Sequence, residues 1–583
     1  MGGMTPEAGQ SRSRLRYAAD DRPPPLASFI IGSQTAVLVC VPVVVVNTIV
    51  ARVANQGDAY LSWAIFASMV IGGLVTVVQA IRFGAIGGGS LTVMGASGAA
   101  IGVSVLALIT GGPALLGALV VASALCQFVM AASLSHLRRL ITPLASGTLL
   151  ALVSVTVMPM GFAMLTRVPE AASAAAAPAV AAVTIVVVVG LMLRGPRIVR
   201  AWTPVLGMGA GCLTAAFFGI LDFGRVADAS WVGMPSVASP GLDLSFGPGF
   251  WILLPGFLFV TFVITVRQVA DAVRMQRLSY RERQAVDFRK VEGAVNACGV
   301  GTVLSGLAGV LPPWPYTAGI ALADGIGVAA RRVGIHIGIV LVALAFVPKI
   351  AALILSIPPP VLGAYIVIIF GVTFAQGMRI VFREGANRQN ALVAGLAFWI
   401  GVGIQFQAIF PSHLATPTGR MLANGLTVGG LTVLLLTLFL ELTGPRRRKT
   451  EIALRPDSLA ELDRFVVDFA TRYGWASKAS ERLRAASEEA LLCLLRQEED
   501  EHAPAAEGRR LRVVAQGTRD GVLLEFTAAT RAGNLENQVM LLGDRPDPTS
   551  ERDLSLALLR HHASSVKHRE YHNVDILAVR VDK

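Results

Sequence analysis

Apolar stretches long enough to cross hydrocarbon follow one another from about residue 29 to residue 441, with polar residues confined to the breaks between them. A helix in lipid must satisfy its backbone internally and needs roughly 20 apolar residues to span. The runs 179–193, 335–347 and 426–440 form the apolar cores of such spans. The pattern predicts about fourteen elements, near 29–50, 60–82, 91–108, 113–134, 142–162, 176–194, 202–221, 247–272, 291–309, 316–330, 334–355, 359–380, 388–408 and 421–441. Past Pro445-Arg446-Arg447-Arg448-Lys449 the chain reads as a soluble domain of charged helices and short alternating strands. Four parts follow: an arm over 1–28, a membrane domain over 29–441, a basic linker over 442–450 and an α/β domain over 451–583.

Only 15% of the 583 residues are charged, against about a quarter in soluble proteins. The formal charge of +12 does not indicate nucleic acid, because the excess sits in short loops where the positive-inside rule places it. With the N-terminus inside, the even connections carry Arg82, Arg138-Arg139, Arg194/Arg197/Arg200, Arg274 to Lys290, Arg331-Arg332, Arg379/Arg383/Arg388 and Arg446 to Lys449. The opposite loops hold Asp58, Glu170, Asp222, Asp228 and Asp243. Both termini are thus expected in the cytosol, in a multi-pass protein of the inner (plasma) membrane. The Arg-rich start, with Arg12, Arg14, Arg16 and Arg22, reads as a retained cytosolic arm. Five scattered cysteines, Cys40, Cys126, Cys212, Cys298 and Cys493, make no metal or disulfide pattern. Neither a nucleophile motif nor a phosphate loop is present, so no enzyme, cofactor or metal is expected.

Two elements are interrupted. The third opens on Leu91-Thr-Val-Met-Gly-Ala-Ser-Gly and the tenth on Leu311-Pro-Pro-Trp-Pro-Tyr-Thr-Ala-Gly, seven elements apart. Broken helices at corresponding positions of two halves point to an inverted repeat with a binding site between them. The half-helix starts would offer free amides and a positive dipole end. Equally, the Gly and Pro residues could serve only close packing or kinks.

Three segments carry a resemblance: Gln79-Ala-Ile-Arg-Phe-Gly-Ala-Ile-Gly-Gly-Gly-Ser-Leu-Thr-Val-Met-Gly-Ala-Ser, Ser305-Gly-Leu-Ala-Gly-Val-Leu-Pro-Pro-Trp-Pro-Tyr, and Lys349-Ile-Ala-Ala-Leu-Ile-Leu-Ser-Ile-Pro-Pro-Pro-Val-Leu-Gly-Ala with Phe370-Gly and Gly377-Met-Arg. They resemble the nucleobase:cation symporters of the xanthine/uracil permease family, the nucleobase-ascorbate type. The resemblance implies a seven-plus-seven inverted repeat with half-helices 3 and 10, a core moving against a gate, and a homodimer in the lipid bilayer.

The departures bear on mechanism. In the first helix Gln34 is followed by Thr35 where the family has His. In the eighth, Val266-Arg267-Gln268-Val269-Ala270-Asp271 places Arg267 where a substrate-binding Glu is expected. Cys298 and Ala318 stand in place of further polar or acidic groups. Ionisable groups at membrane depth are usually functional, and a guanidinium binds planar oxyanions and keto groups in a fork. Arg267, with Gln268 and Asp271, is therefore the first candidate for substrate contact. Asp271 could instead simply neutralise it as an i,i+4 partner, or Arg267 could snorkel to the cytosolic edge. Asp271 and Asp324 compete as proton relays, or each only pairs with a nearby Arg; with the family's acidic groups replaced, proton coupling is not an expectation of the sequence. Ser97, Tyr316 and Thr317 are candidate side-chain contacts, or caps; Gly95, Ala96, Ala318 and Gly319 are candidate backbone donors; Gln34 completes the set. Trp314 could stack on a heterocycle or anchor an interface.

In the C-terminal domain, Leu511-Arg-Val-Val-Ala, Val522-Leu-Leu-Glu-Phe, Ser565-Val-Lys and Asp575-Ile-Leu-Ala-Val-Arg-Val read as strands. The helix Arg482-Leu-Arg-Ala-Ala-Ser-Glu-Glu-Ala-Leu-Leu-Cys resembles that of anti-sigma-factor and histidine-kinase-type ATPase domains. Cys493 stands where the resemblance implies a magnesium-holding Asn, and Ala528-Ala-Thr-Arg-Ala-Gly replaces the nucleotide motif. A degenerate regulatory or dimerising domain without ATP hydrolysis is expected. For the whole chain the expectation is a secondary transporter of a nucleobase-like small molecule, in the xanthine, urate or uracil class and carried in some form as an anion. The rivals are an anion transporter of sulfate-permease-like chemistry and a transporter-derived receptor that signals through its tail.

Overall fold

The structure is a computed structural model, described for residues 15–134, 142–169, 172–221, 224–235, 240–281, 285–382, 388–414, 425–443, 448–475, 477–500, 510–517, 521–528, 551–570 and 575–582. Arg12, Arg14, Arg138, Arg139, Glu170, Asp222, Arg383, Arg446, Arg447 and the run after Ala528 lie outside the described residues. The chain divides into two compact units.

The first unit is helical. Its elements are α1 (Pro25–Val53), α2 (Asp58–Ile81), β1 (Val93–Ala96), α3 (Ile101–Ala132), α4 (Pro143–Leu165), α5 (Ala176–Arg194), α6 (Arg197–Phe217), α7 (Gly224–Asp228), α8 (Pro248–Ser279), α9 (Phe288–Leu307), β2 (Pro313–Tyr316), α10 (Ala318–Ile326), α11 (Arg331–Ala345), α12 (Pro348–Leu355), α13 (Pro359–Val381), α14 (Arg388–Gln405), α15 (Pro411–Leu414) and α16 (Gly425–Thr443). Proline opens α1, α4, α12 and α13, where its missing N–H costs nothing. Thr142 caps α4 by accepting from the Ala145 amide at 3.1 Å.

Among the described residues seven helical runs are long and apolar enough to cross a membrane, or eight if the bent pair α11–α12 is one span. The elements expected over 91–108 and 113–134 are two helical runs meeting at a break, where Gly111 leaves the helical region (φ −150°, ψ 16°) and Gly112 takes a φ of +70°. The single span expected over 334–355 is instead bent by 82° between α11 and α12. Pro348 lacks the amide that would carry one helix through. The two interrupted elements also differ from expectation. Each begins as a short strand, and the tenth is only the nine-residue α10, closed by Gly327 at φ +71°. Pro313 and Pro315 cannot donate, so that segment stays extended.

Helices meet at glycines. A Cβ at Gly338 on α11 would lie 2.5 Å from the Gly73 carbonyl oxygen on α2. The same exclusion joins Gly117 on α3 to Gly306 on α9, and Gly147 on α4 to Gly377 on α13. Small residues let backbones approach closely in lipid, where burying apolar surface gives no advantage.

The second unit takes in Tyr280–Val291 and Phe439–Lys583, and with them the start of α9 and the end of α16. It holds β3 (Arg448–Ala453), α17 (Leu459–Arg472), α18 (Ser477–Asp500), β4 (Arg510–Gly517), β5 (Gly521–Ala528), α19 (Glu551–His562), β6 (Ser565–Glu570) and β7 (Asp575–Asp582). The antiparallel sheet runs β3-β4-β5-β7-β6. β3 starts inside the stretch read as linker. Register places Phe526 opposite Leu577, Leu524 opposite Val579 and Val522 opposite Val581. All six are buried in one core with Leu462, Val466 and Phe469 of α17 and Leu491 and Leu494 of α18. A one-residue slip would expose the whole set.

His568 of β6 is 1% exposed. Burial, reinforced by the positive charge of Arg289, pushes its imidazole down to about 4. Between that value and the ordinary 6.5 the unfolded chain binds a proton that the folded one refuses, so stability falls as pH falls through this window. From pH 7 to pH 5 this group alone is expected to remove about 2 kcal/mol. Hydrogen exchange of the β6–β7 amides, corrected for intrinsic rate, reads the loss; His568→Leu should flatten it.

Candidate substrate-binding site

Two short strands pair inside the membrane unit. β1 and β2 pair antiparallel, with Val93 opposite Tyr316, Met94 opposite Pro315, Gly95 opposite Trp314 and Ala96 opposite Pro313. Irregular backbone at membrane depth must be satisfied by protein. The Met94 amide donates to Thr76 Oγ1 at 2.9 Å. The Ser97 amide donates to the Pro312 carbonyl at 3.0 Å, and the Tyr316 hydroxyl to the Ala96 carbonyl at 3.0 Å. Gly95 is required at its position, since a Cβ there would sit 2.6 Å from the Tyr316 ring.

Helix α8 packs against β2, against the 3₁₀ turn Gly98–Ala100 that follows β1, and against α10. It carries Arg267, Gln268 and Asp271 on neighbouring turns. Arg267 Nε donates to Asp271 Oδ2 at 2.7 Å, and the two side chains are only 13% and 9% exposed. The guanidinium carbon lies 6.0 Å from the centre of the Trp314 ring on β2, the outer reach of a cation–π contact. Gln268 is fully buried, and neither its Oε1 nor its Nε2 has a hydrogen-bond partner. Ser97 Oγ is likewise buried and unpartnered. Leaving a buried polar group unpaired costs roughly 1–3 kcal/mol. The structure thus holds one buried ion pair beside an indole face, and on α8 and at the end of β1 a buried carboxamide and a buried hydroxyl without partners.

Ala318 and Gly319 form the first turn of α10, where backbone amides lack helical acceptors. The other expected residues stand differently. Thr317 is exposed and makes no side-chain cap, and the Tyr316 hydroxyl is spent on Ala96. Gln34 is half-buried on α1, and Thr35 bonds back to the Ile31 carbonyl. Asp324 pairs with Arg274 at 3.8 Å, both more than half exposed. Sequence reasoning passed over Gln127. Its Oε1 accepts from Thr302 Oγ1 at 3.0 Å and its Nε2 is unpartnered, while Cys298 Sγ lies 3.7 Å from the Pro313 carbonyl. A lone Gln within the apolar α3 was the available signal.

Residues 26–410 match the model of a family described as "Permease family", the xanthine/uracil permeases. The chain belongs to that family. The permease is 26% identical to xanthine permease XanP of Escherichia coli K12, over 74% of this chain and 96% of that protein. It is also 26% identical to nucleobase transporter PlUacP of Paenibacillus larvae, over 72% and 95% respectively. Among solved structures, the murine Slc26a9 anion transporter in the inward-facing state aligns with a TM-score of 0.49 at 14% identity, over 78% of the permease and 75% of that chain. The permease is a polytopic helical membrane transporter and not an enzyme.

Proposed function

We propose that this permease is a secondary carrier of an oxopurine-class nucleobase, xanthine or urate, bound beside the strand crossing by Gln268, Arg267, Ser97 and the α10 amides. The observation that carries the reading is Gln268, buried with both amide atoms unpartnered. A carboxamide offers an acceptor and two donors side by side, matching the alternating carbonyl and N–H edge of an oxopurine. The names of XanP and PlUacP agree with this substrate class.

The carrier works by alternating access as a symporter built from a seven-plus-seven inverted repeat of fourteen elements. The paired strands support that reading, as do the Gly73–Gly338 and Gly117–Gly306 crossings, which join the second element to the eleventh and the fourth to the ninth. It sits in the plasma membrane with both termini cytosolic, as a homodimer surrounded by lipid. Its C-terminal α/β unit, from 451 on, is a regulatory or dimerising domain.

The test is thermal stabilisation of the purified chain across nucleobases and small anions. At a hundred times Kd, xanthine or urate should add about 2.7 kcal/mol to stability, and Gln268→Ala should remove the effect. Stabilisation by inorganic anions alone would move the protein to sulfate-permease-like chemistry.

A further inference from the structure

Resting on that reading, we infer that residues 16–19, ahead of α1, are a positioning strap for the substrate site. They tie the far ends of α8 and α10 together, and so hold Gln268 and the α10 amides at a fixed spacing. The strap belongs to the same compact unit as both helices. The Arg16 and Tyr17 amides donate to the Gly327 carbonyl at 2.8 and 3.0 Å, and the Ala329 amide donates to the Tyr17 carbonyl at 2.9 Å. Two residues on, the Ala19 amide donates at 2.9 Å to the carbonyl of Ser279, the last residue of α8. The Ala19 carbonyl accepts at 3.1 Å from the amide of Arg331, the first residue of α11. Five main-chain bonds thus join three helix ends to one short segment.

The residues chosen suit this task. Ala19 is buried, as are Val328, Ala329 and Ala330 of the α10–α11 connection along which the strap lies. Water does not compete for bonds in that position, and a buried amide that lost its acceptor would be destabilising. Asp20 closes the strap with an ion pair to Arg331 at 2.7 Å, and the Asp21 carboxylate accepts from the Ala18 amide at 2.9 Å. Pro23 and Pro24, each with a fixed φ, then stiffen the step into α1.

The need for a strap follows from the length of α10. Its nine residues rise only about 14 Å, less than half of a hydrocarbon core of about 30 Å, so α10 cannot be anchored at both membrane faces. A helix this short is also marginal by itself. Its first turn carries Ala318 and Gly319, and its far end runs into Gly327. Whatever fixes Gly327 therefore sets where those amides lie. Direct packing of α8 on α10 also contributes, but packed helices can slide on one another. The Arg274–Asp324 pair is more than half exposed, and such pairs hold little. The strap supplies the directional link. A ligand that spans Gln268 and the α10 amides then meets both already in place, which favours binding by preorganisation.

The test is uptake of radiolabelled xanthine by the whole chain and two truncations in proteoliposomes, expressed per mole of monodisperse protein. Removing residues 2–14, ahead of the strap, should leave KM and maximal rate as in the whole chain. Removing residues 2–21 should raise KM about tenfold and keep the maximal rate within about twofold, the split expected when only binding is weakened. Ala19→Pro, which deletes the donor to Ser279, should show the same split in smaller measure. An unchanged KM in the folded 2–21 truncation overturns the inference, as does a lower maximal rate at unchanged KM, which marks a merely structural segment. Both outcomes leave the permease reading intact. Absence of uptake of every nucleobase by the whole chain removes that reading and this inference with it. Should the truncation and Ala19→Pro both fail to fold, hydrogen exchange of the whole chain decides. The amides of residues 16–19, 329 and 331 should then be as protected as those of α10, with and without xanthine. Exchange at unprotected rates, or protection that xanthine abolishes, overturns the inference.

Discussion

Arg267→Ala is expected to abolish nucleobase uptake, by at least about a hundredfold, and to lower the stability of the purified protein. Both effects come from one geometry. The guanidinium neutralises Asp271 in a pair almost closed to water. Removing it strands a buried carboxylate, and breaking such a pair costs roughly 3–5 kcal/mol. Part of that cost is escaped if Asp271 takes up a proton, so the measured destabilisation should be larger at pH 8 than at pH 5. Arg267→Lys separates charge from shape. An ammonium preserves the neutral sum but not the planar fork, so the protein should stay near wild-type stability while uptake falls. Thermal unfolding at two pH values, beside uptake into proteoliposomes, reads all of this. Full uptake by the alanine variant would remove Arg267 from the site.

Gly377→Val is expected to prevent assembly of the membrane unit. A Cβ at this position of α13 would lie 2.7 Å from the Gly147 carbonyl oxygen and 2.8 Å from the Ala151 amide on α4. Both obstacles are backbone inside a helix, so neither can rotate away and the two helices must separate. Separation undoes the contact along the facing residues of both helices, including the second close approach of Gly161 to Gly363. Overpacking in a core costs typically 1–3 kcal/mol; pushing whole helices apart should exceed that range. Detergent-extracted Gly377→Val should elute as aggregate in size-exclusion chromatography. Gly371→Val on the same helix, where an added Cβ meets nothing within 4 Å, should elute like wild type.

The membrane body was legible because the hydrocarbon imposes one rule on every span: long apolar runs with cations at alternate ends. Arg267 and Asp271 stood out for the same reason, as charges with no business at that depth, and their spacing of four left the ion pair open as one reading. The strand crossing was not legible. Four-residue extended segments have no periodicity of their own, and each is held by hydrogen bonds to residues more than two hundred positions away. Leu91 to Ser97 therefore read as an interrupted helix. Nor does sequence reveal that Gln268 has no partner while Gln79 has two, the Ala294 carbonyl and the Gly88 amide. That difference depends on which backbone arrives beside each side chain. β3 was missed because its basic start continues the Arg-rich run of the connection, and only pairing with β4 makes it a strand.

The pairing of β1 with β2 also fixes an order of assembly. β1 emerges from synthesis early, yet its neighbour is encoded far downstream; the hydroxyl of Tyr316 that holds Ala96 lies 220 residues later. Until that segment arrives, a strand with open edges sits among helices that are otherwise complete, and hydrocarbon offers its backbone nothing to bond with. The amino-terminal half cannot be a finished insertion intermediate, however apolar its helices are. A ribosome stalled between the two strands is therefore expected to leave a nascent chain that proteases and membrane quality control recognise as incomplete.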